Sequence, residues 1–164
     1  MRSTDVVVSI VLAIYRCRLM DTIPKEARSA LMGRIRSKNS TPELLLRSQL
    51  HRLGLRFRIH RKDLPGTPDL VFVSARIAIF VHGCFWHQHQ KCRLASSPRS
   101  NVDYWQKKLE RNVNRDAEAI NSLRDLGWEV LVVWECETRD KIQFKNVVEG
   151  IQARVHERKN PKCC

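Results

Sequence analysis

Acidic side chains are scarce in this sequence. The 164 residues include 17 aspartates and glutamates against 30 lysines and arginines, which gives a formal net charge of +13 at pH 7. An imbalance of this size exceeds the magnitude of about 2 to 8 that keeps a small domain soluble. It favours a polyanion as partner, of which nucleic acid is the first candidate.

The sequence also has no apolar run that could cross a membrane. Its most apolar N-terminal stretch, Val6–Ile14, is far shorter than the roughly 20 residues that a spanning helix needs. No convincing small-residue cleavage site follows it. We therefore expect a soluble, cytoplasmic protein without a membrane partner. Separately, we expect it to be a monomer.

The chain has the length of one domain. Residues 1–19, which contain the apolar run Val6–Ile14, differ in composition from the sequence that begins at Met20. We predict that they are an extension that is either non-native or disordered. Residues 20–156 are assigned to the domain, and residues 157–164 to a basic C-terminal tail.

A disulfide framework is also missing, because the six cysteines are unevenly spaced and two of them are adjacent at the C-terminus. Instead, Cys84, His89 and Cys92 lie close enough in sequence to share one cation. Cys136, predicted at the end of a buried strand, is the best-placed fourth ligand. The set predicts a closed structural zinc site; the alternative is a group of buried free cysteines.

Hydrophobic periodicity predicts an α/β fold in which helices cover a small mixed sheet. The predicted elements are, in order, a helix capped by Thr41 and Pro42 and ended by Gly54, strands over Leu55–Ile59, Asp69–Val73 and Ile77–Val81, a helix from Ser100 and Asn101 to about Gly127, a strand over Trp128–Trp134, and a helix over Phe144–Val155. Ahead of them, the basic segment Pro24–Lys38 is either a DNA-facing arm or a solvated amphipathic helix.

Polar residues at helix and strand ends form a candidate catalytic set. Its members are Glu43, Asp69, His82, His87 and Asp116. Carboxylates that hold Mg²⁺ against a phosphate, together with a histidine that takes a proton from water, are what phosphodiester hydrolysis requires. Each residue also has an ordinary structural interpretation, since aspartates commonly cap turns and Asp116 could be a surface helix residue.

Phe85 and Trp86 stand between a predicted metal ligand and a histidine. Aromatic side chains in that position often pack against the metal site. On a DNA-binding surface they can also insert between base pairs, which costs a few kcal/mol of unstacking per step and less at a mismatch. The residues alone leave both roles open.

Six motifs, in this order, resemble the very short patch repair (Vsr) mismatch endonucleases between about Met20 and Cys136. They are Arg28–Met32, Pro65–Asp69, Val81–His87, Asn112–Asp116, Leu126–Trp128 and Val133–Cys136. The resemblance implies a restriction-endonuclease-like fold. It also implies a Mg²⁺-dependent enzyme that nicks one strand on the 5′ side of the thymine in a T·G mismatch left by deaminated 5-methylcytosine. Its partner would be duplex DNA containing that mismatch, with other DNA repair proteins as a further class.

The resemblance also implies roles for individual residues, which we state as expectations. Asp69 and the main-chain carbonyl of Val81 would bind magnesium, and Glu43 would hold metal-bound water. His87 would be the general base, oriented by Asp116, and His82 would act at the scissile phosphate. The zinc ligands would be Cys84, His89, Cys92 and Cys136, and the residues that enter the DNA would be Phe85, Trp86 and Met32.

Two departures from the family pattern affect these expectations. Gln88, Gln90 and Lys91 stand where some members carry a run of histidines, and the loop before Cys92 is longer here. Val81 has no hydroxyl, which matters only if more than its carbonyl is needed. Two rival functions remain: a zinc-stabilised DNA-binding module without catalysis, and a restriction-type nuclease that acts on matched duplex.

Overall fold

A four-stranded mixed sheet organises the computed structural model, which describes residues 38–96, 98 and 101–160. The strands are β1 (Arg58–Ile59), β2 (Leu70–Phe72), β3 (Ile77–His82) and β4 (Glu129–Trp134), and they lie in that order across the sheet. β1, β2 and β3 are antiparallel neighbours, whereas β3 and β4 are parallel. The prediction of an α/β fold with a mixed sheet is therefore confirmed.

Four helices of the described residues accompany the sheet. They are α1 (Thr41–Arg52), α2 (Val102–Asp125), α3 (Glu135–Arg139) and α4 (Lys141–Lys159). Met32, the basic segment up to residue 37 and residues 1–19 lie outside the described residues, so the predictions made for them stay predictions. None of the helices in the described ranges is long and apolar enough to cross a membrane.

The central strand β3 is buried along its whole length because both faces of the sheet are covered. Ile77, Ile79 and Val81 belong to a core shared with α1 and α4. Between them, Ala78 and Phe80 belong to a second core shared with α2. The carboxyl end of β3, where His82 lies, is therefore held by apolar packing from two sides.

The prediction of a strand over Leu55–Ile59 was wrong in length, because only Arg58 and Ile59 pair with β2. The backbone N–H of Leu55 is bonded to Leu50 O at the end of α1, 3.1 Å away, so it is not available to a sheet ladder. Side-chain alternation continues beyond the pairing, since the rings of Phe57 and Phe72 make an edge contact with centroids 5.7 Å apart.

Two predicted helix caps differ in detail. α1 is capped by Ser40 rather than Thr41, while Gly54 follows the helix with φ +76°, which glycine adopts without strain. α2 begins after Asn101 as expected, but that asparagine has φ +51° and its side chain makes no capping hydrogen bond.

The region after β4 also corrects the sequence prediction. β4 is half-buried rather than buried. Cys136 lies in the short, unpredicted helix α3 and not at the end of a strand. Asp140 then caps α4 by accepting hydrogen bonds from the backbone of Ile142 and Gln143. α4 runs to Lys159, into the segment assigned to the tail, where Arg158 donates to Ala75 O at 2.7 Å.

Candidate active site and cysteine–histidine cluster

A cleft of about 860 Å³ lies between the start of α1, the end of β3 and the middle of α2. Its wall contains all five members of the predicted catalytic set: Glu43, Asp69, His82, His87 and Asp116. They come from elements that are far apart in sequence, so the fold brings together what the sequence presents separately.

Asp69 is fixed by the sheet on which it lies. It directly precedes β2, its backbone N–H donates to Ile79 O at 2.9 Å, and its Oδ2 accepts the backbone N–H of Val81 at 2.8 Å. Burial raises the pKa of Asp69 to about 6, against the stabilising hydrogen bond from Val81. Burial therefore makes the ionised form of Asp69 costly, and a cation bound in the cleft would stabilise it.

Glu43 is buried and fully hydrogen-bonded at the start of α1. Oε1 accepts from the backbone N–H and hydroxyl of Ser40 at 3.2 and 2.9 Å, and Oε2 accepts from the N–H of Asn39 at 3.0 Å and from Arg47 Nη2 at 2.8 Å. These four donors occupy the approximately four lone-pair positions of a carboxylate. Glu43 can therefore accept from a water only after a donor moves away, and the Ser40 hydroxyl is the one that can rotate.

His60 joins the two carboxylates and was not predicted as a site residue. Ligand atoms of Glu43, His60 and Asp69 all lie within 4.8 Å of one another. His60 also lies next to Arg47, whose Nη2 is 3.0 Å from its Nε2. Burial, followed by the charge of Arg47, lowers the pKa of His60. In the sequence its only signal is a histidine among arginines on the solvent face of a predicted strand.

His87 and Asp116 form a pair across the other side of the cleft. His87 Nδ1 is hydrogen-bonded to Asp116 Oδ2. Because an ionised carboxylate only accepts, Nδ1 carries the proton and Nε2 keeps its lone pair. The pair thus has the arrangement of an oriented general base.

His82 stacks on His87, with ring centroids 3.9 Å apart and planes 6° from parallel. Burial lowers the pKa of His82 to about 4, with the neighbouring His87 adding to the effect. The imidazole is therefore neutral at neutral pH and can donate or accept a hydrogen bond without carrying charge.

The four predicted zinc ligands form one cluster. Ligand atoms of Cys84, His89, Cys92 and Cys136 lie within 4.8 Å of one another. His89 Nδ1 is 3.7 Å from Cys84 Sγ and 3.4 Å from Cys136 Sγ. Tetrahedral zinc with bond lengths of about 2.3 Å to sulfur and 2.05 Å to nitrogen would separate such atoms by about 3.5 Å. The donor set and its spacing therefore fit this ion.

Trp134 connects the cluster to the cleft. The ring of His89 stacks on it at 4.1 Å, and the ring of His82 meets it edge-on at 5.4 Å. His82 and Trp134 are also partners in the β3–β4 register. His89 of the cluster and the catalytic candidate His82 are thus packed against the same side chain, Trp134.

Phe85 and Trp86 lie partly buried on that loop and belong to a larger aromatic group. Both rings contact Trp105 of α2, at 5.7 and 6.1 Å between centroids, and Trp105 contacts Tyr104 at 5.5 Å. Lys108 Nζ lies 5.4 Å from the Trp86 ring. Sequence analysis missed this support, because it gave no role to Tyr104, Trp105 or Lys108 beyond their place in a predicted helix.

Comparison with known proteins gives consistent matches. A family profile described as DNA mismatch endonuclease Vsr matches residues 20–93. The chain is 52% identical over 135 residues to a type II nicking enzyme of Xanthomonas oryzae pv. oryzae, covering 80% of this chain and 98% of that enzyme. It is 39% identical over 139 residues to DNA mismatch endonuclease Vsr of Escherichia coli, covering 85% and 87%. Over this extent the identities leave no doubt about descent: the chain belongs to the Vsr family of DNA mismatch endonucleases.

Proposed function

We propose that the protein is a Mg²⁺-dependent endonuclease that nicks one strand of duplex DNA 5′ of the thymine in a T·G mismatch. The observation that carries this proposal is the cleft in which the buried carboxylate of Glu43 and the partly buried carboxylate of Asp69 face an oriented histidine–aspartate pair. The proposal also draws on the name of the E. coli relative, a mismatch endonuclease. The mixed sheet flanked by helices is compatible with the restriction-endonuclease-like fold expected from the resemblance.

Magnesium would be held by Asp69 and the main-chain carbonyl of Val81, and when bound it supplies positive charge against the scissile phosphate. Hard oxygen ligands suit Mg²⁺. The raised pKa of Asp69, about 6, supports this role because burial has made the charged carboxylate costly without a cation. Glu43 would hold water near the phosphate after its Ser40 donor rotates.

His87 would take a proton from the attacking water through Nε2, since Asp116 occupies Nδ1. Asp116 would stabilise the imidazolium that forms. His82, neutral and stacked on His87, would contact a phosphate oxygen as a hydrogen-bond donor.

Phe85 and Trp86 would insert at the mismatch, where unstacking costs least. Their support by Trp105 and Lys108 favours a preformed aromatic projection over side chains that merely cover the cysteine cluster. Met32 would act from the other groove, as the family resemblance implies.

Zinc would be held by Cys84, His89, Cys92 and Cys136 in a closed, structural site. The zinc would only hold the loop after β3 to α3, because four protein ligands leave no coordination position for substrate.

One assay tests the function: matched and T·G-mismatched duplexes of the same flanking sequence are incubated with and without Mg²⁺, and any nick is mapped. We expect a single nick 5′ of the mismatched thymine, only with Mg²⁺, and none with Asp69→Ala. Equal cleavage of matched duplex would favour the restriction-type rival, and mismatch binding indifferent to Mg²⁺ without cleavage would favour a DNA-binding module.

A further inference from the structure

Arg47 contacts two groups of the cleft through one nitrogen. Its Nη2 lies 2.8 Å from Glu43 Oε2 and 3.0 Å from His60 Nε2, so its two hydrogens have one acceptor each. Nη1 donates to Asn39 Oδ1 at 2.7 Å. The Nε atom of Arg47 is buried without a hydrogen-bond partner among the described residues, which is a cost that the placement of the Nη groups must offset.

This contact determines which His60 nitrogen carries the proton. A guanidinium has five donors and no acceptor, so His60 Nε2 must accept. In the neutral ring the proton is then on Nδ1, and neither nitrogen has a free lone pair for a metal ion. His60 Nδ1 faces Asp69 Oδ1 at 3.8 Å. The N–H therefore points its positive end at the carboxylate oxygen that Val81 leaves free.

The backbone at His60 shows that this placement is imposed. His60 has φ +48°, a conformation that side-chain-bearing residues seldom adopt, directly after the last residue of β1. Such conformations cluster at functional sites. The turn directs the His60 ring, whose side chain is 15% exposed, toward the two carboxylates.

We infer that Arg47 and His60 are positioning residues for the reaction: Arg47 fixes the His60 tautomer, and His60 Nδ1–H orients the Asp69 carboxylate toward the metal. This inference rests on the proposed function of Asp69 as a magnesium ligand. The 3.8 Å contact closes to a hydrogen bond when Asp69 takes up its metal-binding orientation, as catalytic hydrogen bonds commonly tighten on loading. Glu43 and Asp69 are thereby linked through one cation, Arg47.

A matched pair of substitutions separates the two sides of the ring. His60→Asn keeps an amide donor at the position of Nδ1, whereas His60→Gln keeps a polar group at the position of Nε2 and loses the donor to Asp69. We expect the Mg²⁺ concentration for half-maximal nicking to stay within about threefold of wild type in His60→Asn. In His60→Gln it rises about 10- to 100-fold, the range for a lost partner of a metal ligand, with KM for DNA unchanged in both.

A second readout does not depend on activity. Long-range ¹H–¹⁵N correlation spectra of the zinc-containing protein without Mg²⁺ identify the protonated nitrogen of His60, which we expect to be Nδ1. In Arg47→Met the pattern shifts toward the Nε2–H form, whereas Arg47→Lys, which keeps a cationic donor, should retain the Nδ1–H form. If Arg47→Met fails to fold by circular dichroism, Arg47→Leu, which also lacks a donor, takes its place.

Three outcomes would overturn the inference: an Nε2–H tautomer in the wild type, an unchanged Mg²⁺ requirement in His60→Gln, or equal losses in both His60 variants, which would make His60 a direct ligand. Failure of the wild-type protein to nick any duplex would instead refute the proposed function, and the tautomer measurement would still decide whether Arg47 fixes His60.

Discussion

Ionised Asp69 lowers the stability of the folded protein when no Mg²⁺ is bound. Its pKa is raised from 3.8 to about 6, so the folded state binds a proton more tightly than the unfolded state does. The stability that this provides is present below pH 3.8 and is lost as the pH rises through about 6. At neutral pH the folded protein therefore holds an ionised carboxylate at a cost that a bound cation would offset.

Asp69→Asn removes this cost while keeping an acceptor for Val81 N–H. Without Mg²⁺ at pH 7, and with zinc retained, we expect the variant to be about 1 to 3 kcal/mol more stable than wild type in urea unfolding, since each pKa unit is worth about 1.4 kcal/mol. The difference should shrink toward zero at pH 4, where wild-type Asp69 is protonated as well. Nicking should be abolished. A stability difference independent of pH would refute the argument.

His87 and Asp116 are predicted to act as a unit. We expect His87→Ala to lower kcat by about 10²- to 10⁴-fold, the usual contribution of a general base. Asp116→Asn should lower kcat substantially, because the imidazolium loses its stabilising charge. The double variant should be no slower than His87→Ala alone, measured by single-turnover nicking at saturating enzyme. Additive losses would show that Asp116 acts independently of His87.

At the level of elements, the sequence predicts what periodicity and capping determine. The long helix α2 and the buried strands β2 and β3 were found close to their predicted limits because each has a sustained apolar pattern. The short helix α3 was missed, since five residues carry no measurable period. The strand at Leu55 was overextended because alternation reports side-chain burial and not the partner of a backbone N–H.

The candidate site shows the same division. Cys84, His89 and Cys92 could be grouped from local spacing, and the structure brings Cys136 to them. Arg47 and His60 could not be grouped from the sequence. Their proposed role depends on a contact between α1 and the residue after β1, which no local pattern reports. Glu43 was predicted in the first turn of α1, yet its complete set of four donors emerges only from the folded backbone.

The cysteine–histidine cluster is predicted to stabilise two elements at once. Cys136→Ser should remove zinc, counted as one equivalent per wild-type chain by elemental analysis, and should free the loop after β3 from α3. We expect a Tm lower by at least about 5 °C, since structural zinc contributes directly to folding. Cys163→Ser, which lies outside the described residues, is the matched control and should keep both zinc and Tm. A zinc-free Cys136→Ser protein with unchanged Tm would contradict a structural role.

At the scale of the whole molecule, the net charge of +13 is relevant only where basic side chains meet DNA. Several basic residues pair within the protein: Arg154 and Arg158 with Glu129, and Lys145 with Glu149. In contrast, Lys38 and Arg115 lie in the wall of the cleft beside the catalytic candidates. Among the described residues, the basic side chains at the cleft are therefore predicted to contribute to DNA binding, whereas the paired ones on α4 are not.

Salt dependence tests that prediction, because each phosphate neutralised contributes about −0.9 to the slope of log K against log salt. We expect steep weakening of binding to a mismatched duplex as salt rises, measured without Mg²⁺ so that no nicking is expected. Arg115→Gln and Lys38→Gln should each make the slope shallower by up to about 0.9, if each contacts one phosphate. Lys145→Gln, an equal change in charge at an exposed pair on α4, should leave the slope unchanged. An equal loss of slope in all three variants would mean that net charge alone, and not the cleft, attracts the DNA.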